Sequence, residues 1–291
     1  MPELPEVETM RRGLARVVGR RIAALEFPRS RVRPIDVAPR PALLAERVAG
    51  RAIAGVHRRG KRVVLELAPG SGNDRATLWL VIEPRMTGLM LLAEPPSAEH
   101  VRLVARLAPR RGAPGHFMFW DRRGLGTVRL LDGRGLEAAC GAGRLGPDGL
   151  AVTGADLAAA LGRARRAVKV ALLDQRAVAG IGNIYAAEIL FRARIDPRAS
   201  CRRLRAEAWE RIAAAARTIL AAAVRLEGSS IGDETYRTVD ARIGRFQRRH
   251  RVYGRAGAPC PACGTAIVRI VQAQRSTFFC PACQARRPRR G

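Results

Sequence analysis

The chain has 291 residues, 47% of them hydrophobic, and a formal net charge of +28. That length allows one large domain or two of ordinary size with a buried core, and the charge suits a polyanionic partner, although ribosomal and membrane-surface proteins share such an excess. No apolar run is long enough for a membrane span and the N-terminus lacks the basic-then-apolar plan of a secretory signal, so we expect a cytoplasmic, nucleoid-associated protein with no membrane partner.

The chain opens Met1-Pro2-Glu3-Leu4-Pro5-Glu6-Val7-Glu8. Pro5 fits a first helical turn, Glu6 and Glu8 suit the positive end of a helix dipole, and Val7, Met10, Leu14 and Val17 follow at helical spacing. If Met1 is trimmed, Pro2 exposes a secondary amine, and α-amines titrate near about 7.7–8.0, so part of it is a neutral nucleophile at pH 7. Glu3 beside it is placed to exchange protons. On chemistry alone, an ordinary capped helix start explains the same residues. Residues 20–27 then read as a strand and 41–48 as a short helix. Short β-rich stretches follow at 51–57, 61–67, 76–83, 87–93, 100–108, 116–120 and 126–132, punctuated as in a sandwich or barrel. The stretch 141–149 is glycine-rich and reads as a linker. Helical patterns occupy 154–163, 167–176, 184–193 and 203–226, the last with Trp209, Ile212, Ala216, Ile219, Ala223 and Leu226 on one face. Residues 228–252 are polar and irregular, and a cysteine-bounded hairpin closes the chain.

Three local patterns carry chemistry. Cys260-x2-Cys263 and Cys280-x2-Cys283, sixteen residues apart, have the spacing of a closed, structural four-cysteine zinc site, with Gln274-Arg275-Ser276 at the hairpin turn. Gly180-Ile181-Gly182-Asn183-Ile184-Tyr185 joins two helices. There Asn183 is placed to cap the second helix, whose N–H groups favour phosphate, but a plain helical corner fits too. Glu188 on that helix reads equally as a solvated charge or as a group facing a site. Arg58-Arg59-Gly60-Lys61-Arg62 lies between strands and, unaided, is a solvated hairpin tip. Lys61 and Lys169 are nonetheless the chain's only lysines among many arginines.

The opening MPELPEVET resembles the start of the formamidopyrimidine-DNA glycosylases, bifunctional base-excision repair enzymes. Leu4 separates it from the endonuclease VIII type, which usually starts Pro-Glu-Gly-Pro. The resemblance runs through nearly the whole chain. It implies an α+β protein with an N-terminal β-sandwich and N-terminal helix, then a helical domain with a helix–two-turn–helix and a zinc β-hairpin. The implied organisation is 1–135 catalytic, 136–150 linker, 151–228 helical, 229–253 lesion-recognition region and 254–291 zinc finger, the two domains flanking a basic cleft. It implies Pro2 as nucleophile, Glu3 as acid/base, and functional roles near the lesion for Lys61 and Arg275. His100, Lys169 and Asn183 would contact phosphate. Met86, Arg123 and Leu125 would fill the gap left by an extruded base, although core packing alone explains Met86. One structural zinc on Cys260, Cys263, Cys280 and Cys283 completes the set.

Four positions depart from the family pattern. Glu83 replaces a histidine, Gly124 a basic phosphate contact, Leu125 an aromatic wedge, and Gly232 a lysine in Ser229-Ser230-Ile231-Gly232-Asp233. The expectation is a monomer acting on damaged duplex DNA, removing oxidised purines by a Pro2 Schiff base and β,δ-elimination. An oxidised-pyrimidine preference, a non-catalytic damage sensor and a zinc-ribbon adaptor are the competing readings.

Overall fold

A computed structural model describes residues 2–70, 76–232 and 235–285. Its backbone separates into two units, Met1–Gly141 with Leu226–Arg245, and Ala142–Arg225 with Phe246–Gly291.

The first unit begins with α1 (Leu4–Leu14), whose start is set by Pro5 and a Glu3–Glu6 capping box. Leu4, Val7, Met10 and Leu14 form its fully buried face. Then come β1 (Ile22–Glu26), β2 (Asp36–Ala38), α2 (Pro41–Val48), β3 (Ile53–Arg59), β4 (Arg62–Leu67), β5 (Leu78–Glu83), β6 (Gly88–Leu91), β7 (Val101–Leu107), β8 (His116–Asp121), β9 (Thr127–Leu131) and α3 (Gly133–Cys140). The strands make two sheets, ordered β1-β7-β8-β6 and β2-β9-β5-β4-β3. Ile22, Leu103 and Phe119 from one sheet and Val63, Leu80 and Val128 from the other share one core, as a sandwich requires.

Each expected strand is present, its ends moved by no more than two residues. Two elements differ from the sequence reading. β2 is a three-residue strand parallel to β9, next to a cis Ala38–Pro39 bond, and is too short to show alternation. Residues 133–140 form a helix, so the stretch read as a linker from 136 starts inside α3. Gly133 and Gly135 in its first turn masked the helical signal, while the Asp132 carboxylate supplies the cap by accepting from the Gly135 N–H.

Leu226–Arg245 carries no regular element among its described residues, yet Tyr236 and Val239 lie in the sandwich core. Gly13 makes room for this segment: a Cβ there would stand 2.2 Å from Val239 Cγ2. The Leu92 and Ala93 amides both donate to the Val239 carbonyl, at 2.8 and 3.1 Å. Asp233 and Glu234, within the expected lesion-recognition region, lie outside the described residues.

The second unit contains α4 (Gly154–Leu161), α5 (Val168–Ala171), α6 (Asn183–Ala193), α7 (Ala206–Arg225) and a hairpin of β10 (Val268–Gln272) and β11 (Arg275–Phe279). Trp209, Ile212, Ala216 and Ala223 are buried on α7, as its pattern requires. The helix expected over 167–176 ends at Ala171. Beyond it, Gln175 Oε1 accepts from the Gly180 N–H and Gln175 Nε2 donates to the Ile181 carbonyl, both at 2.9 Å, so a side chain supports the turn that leads into α6. No helix among the described residues is long and apolar enough to cross a membrane.

A run of rings connects α6 to β11: Tyr185–Phe246, Phe246–His250, His250–Tyr253 and Tyr253–Phe278, with centroids 5.7, 5.7, 5.8 and 5.1 Å apart. Burial pulls His250 down from its ordinary value to about 4. Folding therefore favours the neutral ring, whereas the unfolded chain takes up a proton below about pH 6.5. The stability His250 contributes is present above that pH and is lost as pH falls toward 4. Glu188, pushed upward by burial, acts in the opposite sense. It is common to wild type and His250→Gln, so their difference isolates the histidine. Thermal unfolding from pH 7.5 to 4 should show a steeper acid-side loss in wild type, by up to one proton or ~1.4 kcal/mol per pH unit. Superimposable profiles would exclude this role.

Candidate active site

Pro2 and Glu3 are both buried at the start of α1. The Glu3 N–H donates to Glu6 Oε2 at 2.9 Å, and Glu6 Oε1 accepts from the Ser229 N–H at 2.7 Å. A Cβ on Gly228 would stand 2.7 Å from that Glu6 oxygen, and the residue has a φ of 78°. Glycine is thus required on two counts for the approach. Tyr236 packs into the same region, and burial together with the Glu6 charge raises its hydroxyl well above the ordinary phenol range.

Lys61 sits on the two-residue turn between β3 and β4, where Gly60 takes the left-handed position at φ 57°. Arg58 fixes that turn, donating from Nη1 to the Gly60 carbonyl and from Nε to Glu8 Oε2, both at 3.1 Å. Burial pushes the Glu8 carboxyl up, but bonds from Arg11, Arg12 and Arg58 outweigh it and hold the group below its usual range. The strands flanking Lys61 and β6, which follows Met86, all pack on α1. The Pro2 helix, the Lys61 hairpin and the Met86 segment therefore form one neighbourhood.

Met86 is 37% exposed, which removes core packing as its explanation. Arg123 is exposed and Leu125 half-buried on the loop after β8. Both segments meet at Asp121, a fully buried carboxylate that the sequence reading did not single out. Its Oδ1 accepts from the Thr87 hydroxyl and, at 3.2 Å, from the Arg123 N–H. Its Oδ2 accepts from the Leu125 and Gly126 N–H groups, each at 2.8 Å. The available signal was an aspartate just ahead of a glycine-bearing turn, where a short carboxylate bonds nearby backbone. His100 ends a 3-10 turn before β7. Its ring meets the edge of Trp120 and its Nε2 lies 3.3 Å from Glu99 Oε1.

In the second unit Lys169, Asn183 and the finger turn come together. Lys169 Nζ donates to Asn183 Oδ1 at 2.5 Å, and Asn183 Nδ2 donates to the Ser276 carbonyl at 3.1 Å. Asn183 is thus the first residue of α6 rather than its cap, a position taken by Gly182. Arg275, next to Ser276, is exposed beyond a turn in which Ala273 and Gln274 both have positive φ. Glu188 is not a solvated charge. Its carboxylate is buried and accepts from the Arg251, Val252 and Tyr253 N–H groups at 2.8–3.0 Å.

The four sulfurs of Cys260, Cys263, Cys280 and Cys283 lie within 4.8 Å of one another, and two pairs are 3.5 and 3.9 Å apart. A tetrahedral zinc with bonds of about 2.3 Å needs sulfurs about 3.8 Å apart, so the donor set fits one such ion. Four thiolates close the coordination shell and assign the metal to structure.

Residues 1–128 match the family described as formamidopyrimidine-DNA glycosylase N-terminal domain. Residues 145–235 match the formamidopyrimidine-DNA glycosylase H2TH domain, and 257–286 a zinc finger found in FPG and IleRS. A formamidopyrimidine-DNA glycosylase of Solibacter usitatus is 42% identical over 287 residues, covering 98% of this chain and 100% of its own. The chain belongs to the formamidopyrimidine-DNA glycosylase family. It is accordingly a base-excision repair glycosylase with a zinc finger. The crystal structure of the MutM (Fpg) protein of Thermus thermophilus is similar with a TM-score of 0.82 at 37% identity, covering 99% of this chain and 100% of the other. The Lactococcus lactis Fpg in complex with abasic-site DNA gives 0.83 at 31% identity, covering 98% of this chain and 100% of the other.

Three of the positions singled out in the sequence have distinct local settings. Glu83 is held between Arg62 Nε at 3.1 Å and Arg85 Nε at 3.2 Å. Gly124 has a φ of 59°, and a Cβ there would stand 2.2 Å from the Arg33 carbonyl oxygen. Gly232 has a φ of 66° with open space around it.

The metal centre leads to a direct test. Metal analysis should return about one zinc per chain. Chelation or Cys280→Ser should weaken DNA binding while the far-UV signal of the sandwich strands persists. Full DNA affinity in verified metal-free protein would contradict this.

Proposed function

We propose that this glycosylase excises oxidised purines, 8-oxoguanine and formamidopyrimidines, from duplex DNA and then cleaves the strand as an abasic-site lyase. The observation that carries the reading is the start of α1, where Pro2 and Glu3 are buried side by side on a backbone anchored by Glu6. Once Met1 is removed, the Pro2 nitrogen attacks C1′, the damaged base departs with the bonding electron pair, and the proton of the attacking amine passes to the departing base, which restores the nitrogen lone pair. Glu3 gives its proton to the ring oxygen as the sugar opens, and an iminium forms at C1′. Loss of the C2′ proton expels the 3′ phosphate, and loss of the C4′ proton then expels the 5′ phosphate. Lys61 and Arg275 hold the backbone near the lesion, with His100, Lys169 and Asn183 on phosphates, so affinity falls steeply with salt. Met86, Arg123 and Leu125 enter the gap left by the extruded base. The protein works as a monomer on damaged duplex DNA.

Borohydride reduces a Schiff base, so it should trap the protein covalently on DNA carrying 8-oxoguanine or an abasic site. Pro2→Gly should lose most excision, and retained Met1 should block it. Absence of any adduct from protein with verified N-terminal Pro2 would favour a non-catalytic damage sensor. A panel of oxidised purines and pyrimidines in duplex DNA, scored for cleavage, tests the substrate class.

Leu125 allows a sharper test. Aromatic stacking on a base contributes roughly 1–3 kcal/mol, which a leucine without a π-face does not supply. Leu125→Phe should therefore raise single-turnover excision of a paired lesion and leave cleavage at an abasic site nearly unchanged. Equal changes on both substrates, or a loss on the paired lesion alone, would show that Leu125 is not an underpowered wedge.

A further inference from the structure

We propose that Asp121 is a positioning residue that locks the base-gap side chains into one preset unit before DNA arrives, an inference that rests on the wedge roles given to Met86, Arg123 and Leu125 above. The geometry is specific. The two oxygens of this one buried carboxylate receive four donors from two separate stretches of chain. On one side is the Thr87 hydroxyl, whose residue follows Met86 directly. On the other are the N–H groups of Arg123 and Leu125 themselves, with Gly126 beside them. The Arg123 N–H is shared, also lying 3.0 Å from the Thr87 hydroxyl oxygen. All three candidate gap-filling residues are thus one hydrogen bond, or one peptide unit, from the same carboxylate.

Asp121 is itself held through its backbone. Arg102, 4% exposed on β7, donates from Nε to the Asp121 carbonyl at 2.9 Å and from Nη1 to Ser30 Oγ at 2.9 Å. Burial lowers the Arg102 value and the Asp121 charge opposes that shift, so the two charges are electrostatically joined. Ser30 Oγ accepts in turn from the Val32 N–H at 3.3 Å, and Arg33 closes over Gly124. Irregular loops ordinarily lose conformational freedom when they bind, and that loss subtracts from affinity. Here the loop backbones are fixed by charge-assisted bonds in the free protein, which are about twice as strong as neutral ones. The exposed side chains of Met86 and Arg123 then enter the helix from a set backbone.

A carboxylate is needed because every partner is a donor. Asparagine keeps one acceptor oxygen but presents an NH2 where the second oxygen received two N–H groups. Asp121→Asn is therefore nearly isosteric yet breaks one side of the joint. Thr87→Val removes the donor that links the Met86 segment, and with it the Thr87 share of the Arg123 N–H, while Asp121's own bonds to the Arg123, Leu125 and Gly126 N–H groups stay in place.

The experiment measures single-turnover rates on a paired 8-oxoguanine lesion and on an abasic site, together with thermal midpoints. It uses the full zinc-loaded chain and the variants Asp121→Asn, Thr87→Val, Met86→Ala and Arg123→Ala. Losing a bond to a charged acceptor corresponds to roughly tenfold, so Asp121→Asn should slow paired-lesion excision by about that factor or more. Cleavage at the abasic site, where no base is displaced, should fall much less. Thr87→Val should shift the same ratio in the same direction by a smaller factor. A merely structural residue would depress both substrates equally, in step with the thermal midpoint, and that outcome would overturn the proposal. If Met86→Ala and Arg123→Ala impair the paired lesion while Asp121→Asn and Thr87→Val leave the ratio unchanged, the wedge stands and only the positioning role falls. If Met86→Ala and Arg123→Ala also leave it unchanged, the wedge reading fails and this proposal fails with it.

Discussion

A chain terminus is held from one side only, and terminal residues fray unless something ties them down. In this protein the tie is Glu6. Its carboxylate, on a residue 1% exposed, takes the Glu3 N–H on one oxygen and the Ser229 N–H on the other. The partners are 223 positions apart in the second case, so one side chain joins the start of the chain to a segment that returns after the helical region. That segment is closed at its neck by the Arg245 N–H, which donates to the Leu226 carbonyl at 2.9 Å, and by the Ser230 hydroxyl. Ser230 Oγ donates to the Tyr236 carbonyl at 2.6 Å and accepts from the Gly244 N–H at 2.9 Å. The N-terminal helix, the Ser229–Ser230 neck and the base of the loop are therefore one hydrogen-bonded body. Removing a partner of a buried ionised group costs about 1–3 kcal/mol or more, which makes Glu6 a strong restraint for its size.

The same device recurs. Glu6, Asp121 and Glu188 each place a buried carboxylate where the backbone is irregular and no sheet or helix ladder satisfies its N–H groups. Such groups cannot be left unpaired away from water. Glu188 answers for three consecutive amides, 251 to 253, that lead into the zinc hairpin. Burial raises its carboxyl, and the three N–H bonds only partly oppose the rise. Lys169 is the cationic counterpart. Fully buried, it holds Asn183 and with it the Ser276 carbonyl, so α6 and the finger turn are registered to each other.

This pattern also explains what could be read from the sequence. The strands were legible because alternation and apolar runs along β4, β5, β7 and β8 report burial directly. The zinc centre was legible because ligand spacing is local. α7 was legible because 20 residues repeat one face. The bond from Glu6 to Ser229 and those from Glu188 to residues 251–253 were not, because an acceptor for distant backbone N–H groups leaves no period and no motif. Glu188 is a buried acceptor and not the solvated charge that was one of its two readings. Asp121 bonds nearby N–H groups, and its one signal was an aspartate ahead of a glycine-bearing turn. β2 and α3 were hidden for smaller reasons, the one by length and the other by glycines in its first turn.

The loop after β8 illustrates how a close backbone approach dictates a residue type. A side chain at 124 is excluded twice, by the left-handed backbone and by the Arg33 carbonyl oxygen 2.2 Å from where its Cβ would be. Glycine stands there because the chain passes too close to admit a side chain. The chain that passes is itself basic. Arg33 is exposed, and its own Cβ lies 3.3 Å from where the missing Cβ would be. The Arg33 side chain therefore starts beside this loop, from the connection between β1 and β2. Electrostatic attraction to a phosphate depends on charge and distance rather than on which residue number bears the charge. The Arg33 side chain leaves from a different backbone than the one that carries Arg123 and Leu125.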